Sequence, residues 1–271
     1  MTKISILGCG WLGLPLAKNL IAKGNAANGS TTSENKLSIL ENAGINSFLV
    51  TVENESVSEN TTNFLAESEI LIIDIPPKLR TVDPNSEKKA FVEKIKNLIP
   101  FIAKSTVKKV LFVSSTSVYG DENGLVTEET SPNPDTESGK QLVLVEKLLQ
   151  ENQNFDTTIL RFGGLIGEDR HPVKFLAGKE NLDNPDAPIN LIHQNDCIGI
   201  IEAIVNQSKW NEVFNAVAPF HPTREDYYTQ KAIEMNLPEP KFSSEKSNIK
   251  KVVSSEKIEN YLNYKFCLDN Y

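Results

Sequence analysis

The sequence predicts an α/β fold in which a doubly wound parallel sheet carries a small C-terminal α/β substrate cap. Three observations lead to this prediction. An apolar segment at the start of the chain runs directly into a glycine-rich turn and an amphipathic helix. Strand and helix patterns then alternate as far as residue 162, and prolines break the chain into short elements afterwards. Such alternation favours right-handed crossovers and a parallel sheet with helices on both faces.

The first strand–helix unit contains the most informative motif. The apolar strand 3–7 is followed by Gly8, Gly10 and Gly13, and then by a helical pattern. A strand, a GxGxxG turn and a helix in this order are typical of the phosphate cradle of a Rossmann-like, dinucleotide-binding fold. The alternative is a glycine-rich turn that binds nothing. The predicted cofactor contacts in this turn are Gly8, Gly10, Trp11, Leu12 and Gly13.

The remaining elements follow from apolar periodicity. Further strands are predicted at 26–30, 47–50, 70–75, 109–113 and 157–162. Helices are predicted between them at 34–43, 57–67, 87–104 and 139–151.

We predict a boundary near residue 165. Residues 1–165 would form the dinucleotide-binding domain and residues 166–271 a small substrate-binding cap, with later segments free to return to the sheet. The second part is predicted to contain a helix at 195–206, a strand at 213–217 and a helix at 224–235. Because this interrupted tail is too short for a core of its own, we expect it to pack over the strand ends where such sheets bind ligands.

The composition narrows the classes of partner. The chain has 271 residues, a net charge of −8 and no basic cluster, which argues against binding to nucleic acid or anionic membranes. It has neither an apolar stretch of membrane-spanning length nor a signal-like N-terminus, so we expect a cytoplasmic protein with a small-molecule substrate. The three cysteines, Cys9, Cys197 and Cys267, lack metal-ligand spacing and are expected to be reduced thiols, with no metal site.

Three segments together carry a family resemblance: the glycine turn, residues 112–120 (FVSSTSVYG) and residues 161–167 (RFGGLIG). They resemble the extended short-chain dehydrogenase/reductase superfamily, in its NAD(P)-dependent epimerase/dehydratase group. The form is atypical, because extended members usually show GxxGxxG. The resemblance implies an NAD(P)-dependent oxidoreductase or epimerase that acts on a small hydroxylated or carbonyl compound, sugar derivatives included. It also implies a homodimer formed through the helices at 87–104 and 139–151.

The resemblance further implies catalytic residues. In the family, a Ser or Thr ending the fifth strand orients the substrate, a Tyr exchanges the proton, and a Lys four residues later lowers the pKa of that Tyr and binds the nicotinamide ribose. Ser115 and Lys140 match the first and last of these, but Thr136 stands at the tyrosine position. An aliphatic hydroxyl is a much weaker acid than a phenol, whose pKa is about 10. A non-catalytic cofactor-binding sensor or assembly protein is therefore the alternative function.

Other side chains are candidates for proton transfer or substrate binding. Tyr119 follows the strand that carries Ser115 and is the candidate replacement for the missing phenol; the alternative is a packing tyrosine with a satisfied hydroxyl. Arg170 is a candidate for an anionic substrate group, or else forms a surface ion pair. His193 has a suitable intrinsic pKa, or else makes a hydrogen bond at a helix start.

The cofactor choice depends on the end of the second strand. NAD-specific members usually carry an acid there. Here the chain continues with Thr31, Thr32 and Ser33. With Lys36 nearby, these hydroxyls suit a 2′-phosphate, so NADP is predicted and NAD is the alternative. After the fourth strand, Ile75 and Pro76 are predicted to lie beside the cofactor, the alternative being a purely structural turn.

Overall fold

A central parallel sheet dominates the computed structural model, which describes residues 1–77, 90–121, 124–245, 247–268 and 271. The strands in chain order are β1 (Lys3–Leu7), β2 (Ala26–Thr31), β3 (Asn46–Leu49), β4 (Ile70–Ile73), β5 (Lys109–Ser115), β6 (Leu125–Val126), β7 (Asp156–Phe162), β8 (Gly164–Ile166), β9 (Leu191–His193), β10 (Val213–Ala216) and β11 (Val252–Val253). Within the described residues the main sheet has seven strands in the order β10-β7-β5-β4-β1-β2-β3, all parallel. The predicted doubly wound parallel sheet is confirmed.

Helices cover both faces of this sheet. They are α1 (Gly13–Ala22), α2 (Leu37–Asn42), α3 (Thr61–Leu65), α4 (Ala90–Lys104), α5 (Glu137–Gln150), α6 (Val173–Leu176), α7 (Gln194–Asn206), α8 (Arg224–Glu234) and α9 (Glu256–Tyr261). Successive strand residues point to opposite faces, so Ile73 packs with α3, α4 and α5 whereas Ile72 packs with α1, α2, α7 and α9. Among the described helices, none has the length and apolar character needed to cross a membrane.

Two predicted helices differ from the structure. The pattern at 57–67 gives only the short helix α3, because Val57 forms an antiparallel bridge with Val52 and the Ser58 amide donates to the Thr51 carbonyl oxygen. The segment predicted as helix at 34–43 begins with a 3₁₀ turn, Glu34–Lys36, before α2. The first three residues of the helix predicted at 87–104 lie outside the described residues, and its remainder is α4.

Residues beyond 165 contribute to two regions. The strand pair β8–β9 and the helices α6 and α8 surround a small apolar cluster that includes Ile166, Val173 and Tyr227. In contrast, α7, β10 and α9 pack into the core of the main sheet. The cap region and the sheet are therefore interleaved along the chain.

Candidate functional site

A cleft of about 270 Å³ opens at the carboxyl ends of β1, β2 and β4. Parallel strands end at the same edge of a sheet, and this edge is where open α/β folds bind ligands. Seven of the predicted cofactor residues line the cleft: Gly8, Gly10, Thr31, Thr32, Ser33, Ile75 and Pro76. The structure thus brings the glycine turn together with the ends of the second and fourth strands.

The three glycines of the turn have different surroundings. Gly8 has a φ of +108°, and a Cβ there would fall on the Asp74 carbonyl oxygen. A Cβ on Gly13 would fall on the Gly8 carbonyl oxygen. A Cβ on Gly10 would meet nothing within 4 Å and would point into open space. Gly8 and Gly13 therefore serve the fold, whereas the missing side chain of Gly10 leaves room for a ligand, which fits a bound diphosphate.

Charged groups lie along the cleft walls. Lys36 is exposed at the end that carries the three hydroxyls. Lys94 of α4, which also lines the cleft, forms an ion pair of 2.7 Å with Glu53. Below the glycine turn, the Gly13 amide donates to the Asp74 carboxyl, and burial raises the pKa of Asp74 to about 7.

Two further residues of the turn face inward. Burial raises the pKa of the Cys9 thiol to about 12, so Cys9 stays protonated and unreactive at neutral pH. The Leu12 side chain is also buried, within the apolar core beneath α1. Only the main chain of Leu12 is left to contact a ligand.

The predicted serine and lysine lie near the start of α5. Ser115 is half-buried, and its Oγ accepts a hydrogen bond of 3.1 Å from the Ser117 amide. A Cβ on Gly139 would collide with the Ser117 carbonyl oxygen. The glycine therefore allows α5 to pack closely against this turn. Thr136 is the N-cap of α5, since its Oγ1 accepts from the Gly139 amide at 3.1 Å. Lys140 is exposed one residue further along.

Tyr119 lies in the interior and not in the cleft. It is 2% exposed, and its hydroxyl accepts from Arg161 Nη1 at 2.6 Å and donates to Asn215 Oδ1 at 2.9 Å. Arg161 also forms a buried ion pair of 2.6 Å with Glu146, to which Ser114 donates. Burial raises the pKa of Tyr119. Of the two interpretations of Tyr119, this arrangement fits the packing tyrosine with a satisfied hydroxyl.

Trp11 joins the glycine turn to the cap region. Its Nε1 donates to Asp169 Oδ1 at 2.8 Å, and the Arg170 guanidinium lies over its ring, 5.0 Å from the centroid. Gln194 donates a hydrogen bond of 2.6 Å to the Trp11 carbonyl oxygen. The indole ring also lies close to Gly167: a Cβ on Gly167 would be 2.8 Å from the ring. Arg170 is thus exposed and occupied with the indole, outside the lining of the cleft.

His193 is the N-cap of α7, where its Nδ1 accepts from the Asn195 amide at 3.2 Å. It is 8% exposed, and burial lowers its pKa. Of the two interpretations of His193, the structure fits the hydrogen-bonded helix start. The side chain does not line the cleft.

The sequence interpretation missed several residues of the cleft: Val50, Val52, Glu53, Asp74, Phe91 and Lys94. Val50, Val52 and Glu53 follow β3, and Asp74 follows β4. Their positions after strand ends were the signal in the sequence that could have placed them in the cleft. Phe91 and Lys94 come from α4, and nothing in their local sequence indicates the cleft.

Comparisons with known proteins agree with this geometry. A model of the NAD-dependent epimerase/dehydratase family matches residues 77–179. Protein YeeZ from Escherichia coli (strain K12) is 34% identical over 268 residues, which is 98% of this chain and 96% of that protein.

Two solved structures are similar in fold. UDP-N-acetylglucosamine 4-epimerase from Bacillus cereus has a TM-score of 0.78 at 15% identity and covers 98% of this chain and 94% of its own. UDP-glucuronic acid 4-epimerase from Bacillus cereus in complex with NAD has a TM-score of 0.79 at 16% identity and covers 97% and 91%. Protein YeeZ matches the chain over nearly its whole length, and the family model matches its middle part. The chain therefore belongs to the NAD-dependent epimerase/dehydratase family.

Proposed function

We propose that the cleft binds a nicotinamide dinucleotide and that the protein uses it on a small hydroxylated or carbonyl compound, with sugar derivatives the first class to test. One observation carries the proposal. Gly10 faces open space between two glycines that the fold requires, at the positive end of the ten-residue helix α1. Backbone amides and a helix dipole at this point suit a diphosphate.

The side chains have separate roles in this proposal. The hydroxyls at the end of β2 face the adenosine ribose, and Ile75 and Pro76 form an apolar wall. Ser115 orients the reacting oxygen of the substrate, and Lys140 binds the nicotinamide ribose. The cofactor supplies hydride exchange. A positioned acid or base is worth about 10²–10⁴ in rate, so we expect slow turnover without the family tyrosine.

We propose NADP as the preferred cofactor, with NAD as the alternative. Support comes from Lys36, which lines the cleft beside Thr31, Thr32 and Ser33. Replacement of this ammonium by Lys36→Ala should weaken NADPH binding by at least about tenfold, because a charge-assisted bond is worth about 1.5–3 kcal/mol. NADH binding should not change. Lys18→Ala, an exposed position on α1 outside the cleft, is the control. Tighter binding of NADH than of NADPH would favour the alternative.

A second function, cofactor binding without catalysis, is favoured by two contacts. The Thr136 hydroxyl is used in capping α5, and the Tyr119 hydroxyl is enclosed by Arg161 and Asn215.

Incubation of the protein with cofactor and sugar nucleotides, aldoses or small ketones separates the two functions. Because an epimerase returns the hydride to its substrate, sugar products are analysed together with cofactor absorbance. Conversion that is lost in Ser115→Ala, with binding retained, supports the enzyme; no conversion of any compound supports the sensor.

The binding step is tested by fluorescence titration of NADH and NADPH into wild type and Gly10→Ala. The added methyl group meets no protein atom, so the melting temperature should not change, whereas it would occupy space needed by the diphosphate. We expect at least tenfold weaker binding. Equal affinities of the two proteins, or no binding by wild type below millimolar concentration, would contradict the proposal.

A further inference from the structure

The first turn of α5 lies against the turn that holds the Ser115 hydroxyl. A Cβ on Gly139 would collide with the Ser117 carbonyl oxygen, and the Ser117 amide donates to Ser115 Oγ at 3.1 Å. Both contacts involve Ser117, so the backbone of α5 at Gly139 is separated from Ser115 by this one residue. Ser138, which precedes Gly139 in the chain, is therefore a near neighbour of Ser115.

The direction of α5 places its first turn at the carboxyl edge of the sheet. The last turn lies at the start of β7, where Thr157 Oγ1 donates to the Leu149 carbonyl oxygen at 3.0 Å. The first turn lies beyond the end of β5, against Ser117. Because β4, whose end lines the cleft, is the strand beside β5, residue 138 lies at the edge where the cleft opens.

Ser138 begins the buried stripe of α5. Leu142, Val145 and Leu149 follow it at spacings of four, seven and eleven residues, which place side chains on one face of a helix. All three are buried in the core cluster that includes Phe112 of β5. Ser138 therefore lies on the sheet side of the helix, where it is half-buried, whereas Lys140 in the same turn is exposed.

The Ser138 hydroxyl makes no hydrogen bond to any other residue that the structure describes. The Thr136 hydroxyl in the preceding turn differs, since it accepts from the Gly139 amide and caps the helix. Ser138 thus offers a polar group on the sheet side of α5, beside Ser115, that the protein itself does not use.

We propose that Ser138 is a second substrate-binding residue, whose hydroxyl binds the reacting oxygen of the substrate together with Ser115. A hydroxyl both donates and accepts hydrogen bonds, so the same pair of side chains binds the substrate as an alcohol and as a carbonyl compound. The inference rests on the function proposed above and deepens it, because it names a second residue that selects compounds with an oxygen on the reacting carbon.

The first experiment tests whether position 138 faces the bound nicotinamide. Ser138→Cys is made together with Cys267→Ser, because Cys267 is exposed whereas Cys9 and Cys197 are buried. Alkylation by iodoacetamide is followed by mass spectrometry without ligand, with saturating NADH and with saturating ADP-ribose, which lacks the nicotinamide. NADH should suppress the alkylation, and ADP-ribose should leave most of it. Lys147→Cys, on the exposed side of α5, is the matched control and should react equally in all three conditions.

The second experiment uses the conversion assay described above. Ser138→Ala should lower kcat/KM about 3- to 10-fold, the effect of one lost hydrogen bond, and Ser138→Thr, which keeps the hydroxyl, should retain most of the activity. The NADH affinity and the melting temperature of Ser138→Ala should equal those of wild type, because the hydroxyl has no partner among the described residues. A purely structural role would lower the melting temperature instead.

The outcomes separate this inference from the cofactor site. NADH binding without protection of the thiol at position 138, or conversion that is unchanged in Ser138→Ala, would overturn the role of Ser138 while leaving the cofactor site in place. No NADH binding by wild type would contradict the cofactor site and this inference together. No conversion of any compound by wild type would contradict the substrate role along with the enzymatic function. Ser138→Ala decides the question even if Ser138→Cys does not fold.

Discussion

At the scale of single residues, Gly13 and Gly10 differ in what they contribute. The Gly13→Ala methyl group would fall on the Gly8 carbonyl oxygen, so α1 would have to move away from β1. We expect the free energy of unfolding to fall by about 1–3 kcal/mol, the usual effect of overpacking. Urea denaturation checks this, with Gly10→Ala as the matched control. Equal stabilities of the two variants would mean that the turn is looser than the structure indicates.

Asp74 also predicts a pH dependence of stability. Its folded-state pKa of about 7 exceeds the ordinary value of 3.8, so its favourable contribution is full below pH 3.8 and is lost as the pH rises towards 7. Relative to wild type, Asp74→Asn should gain about 2–4 kcal/mol of unfolding free energy at pH 8 and almost none at pH 4. Urea denaturation of the cofactor-free proteins at both pH values measures this difference in unfolding free energy. A difference independent of pH would contradict the raised pKa.

Individual residues could be predicted from the sequence where their role depends on local position. The glycine spacing and the hydroxyls after β2 identified one side of the cleft. The sequence left two interpretations of Tyr119 open, because its partner Arg161 is 42 residues away and local spacing does not reveal a buried long-range contact. Asp74 was missed, because its contact with the Gly13 amide joins residues that are far apart in the chain.

At the scale of elements, Thr136 is important as the cap of α5. Thr136→Ala removes the acceptor for the Gly139 amide and should cost about 1 kcal/mol of unfolding free energy, whereas Thr136→Ser should cost little. Chemical denaturation of the three proteins tests this expectation. If the hydroxyl only caps the helix, cofactor binding is the same in all three. Weaker cofactor binding in Thr136→Ala alone would assign the hydroxyl a role in the site.

The buried network around Tyr119 connects β5, β7, β10 and α5. Tyr119→Phe would leave Arg161 Nη1 and Asn215 Oδ1 without this hydroxyl in the interior, which should cost about 1–3 kcal/mol. NADH affinity should not change, because the phenol does not line the cleft. Tyr261→Phe, on the exposed side of α9, is the control. Thermal melting and NADH titration are the two measurements, and weaker binding in Tyr119→Phe would return Tyr119 to the site.

Long periodic elements were predictable, and short ones were not. The predicted main-sheet strands agree with the structure to within two residues at each end, since each carries a clear apolar pattern. The pairs β6–β11 and β8–β9 were missed because strands of two or three residues have no measurable period. Their pairing is fixed by contacts between distant parts of the chain.

At the scale of the whole molecule, Asp196 ties the last residues to the sheet. It is 1% exposed and accepts from Tyr264 at 2.8 Å, Tyr271 at 2.8 Å and the Cys267 amide at 3.2 Å. Asp196→Ala should destabilise the protein by about 2–4 kcal/mol, because two tyrosine hydroxyls and the Cys267 amide lose their acceptor.

In Asp196→Ala, the segment after residue 262 should become accessible to proteases. Limited proteolysis followed by mass spectrometry measures the cleavage rate there. Glu202→Ala, on the same helix but paired with the exposed Lys23, should be cleaved at the wild-type rate. Equal resistance of Asp196→Ala would show that the segment is held by its apolar contacts.

The contact between Trp11 and Gly167 has a consequence for protein engineering. The indole belongs to the glycine turn, yet it needs a glycine 156 positions later and a carboxylate at Asp169 to be accommodated. A chimaera that grafts the specificity loops of another relative onto this sheet must therefore exchange positions 11, 167 and 169 as one unit. A graft that brings a larger residue to position 167 would push the indole, and the turn that carries it, out of place.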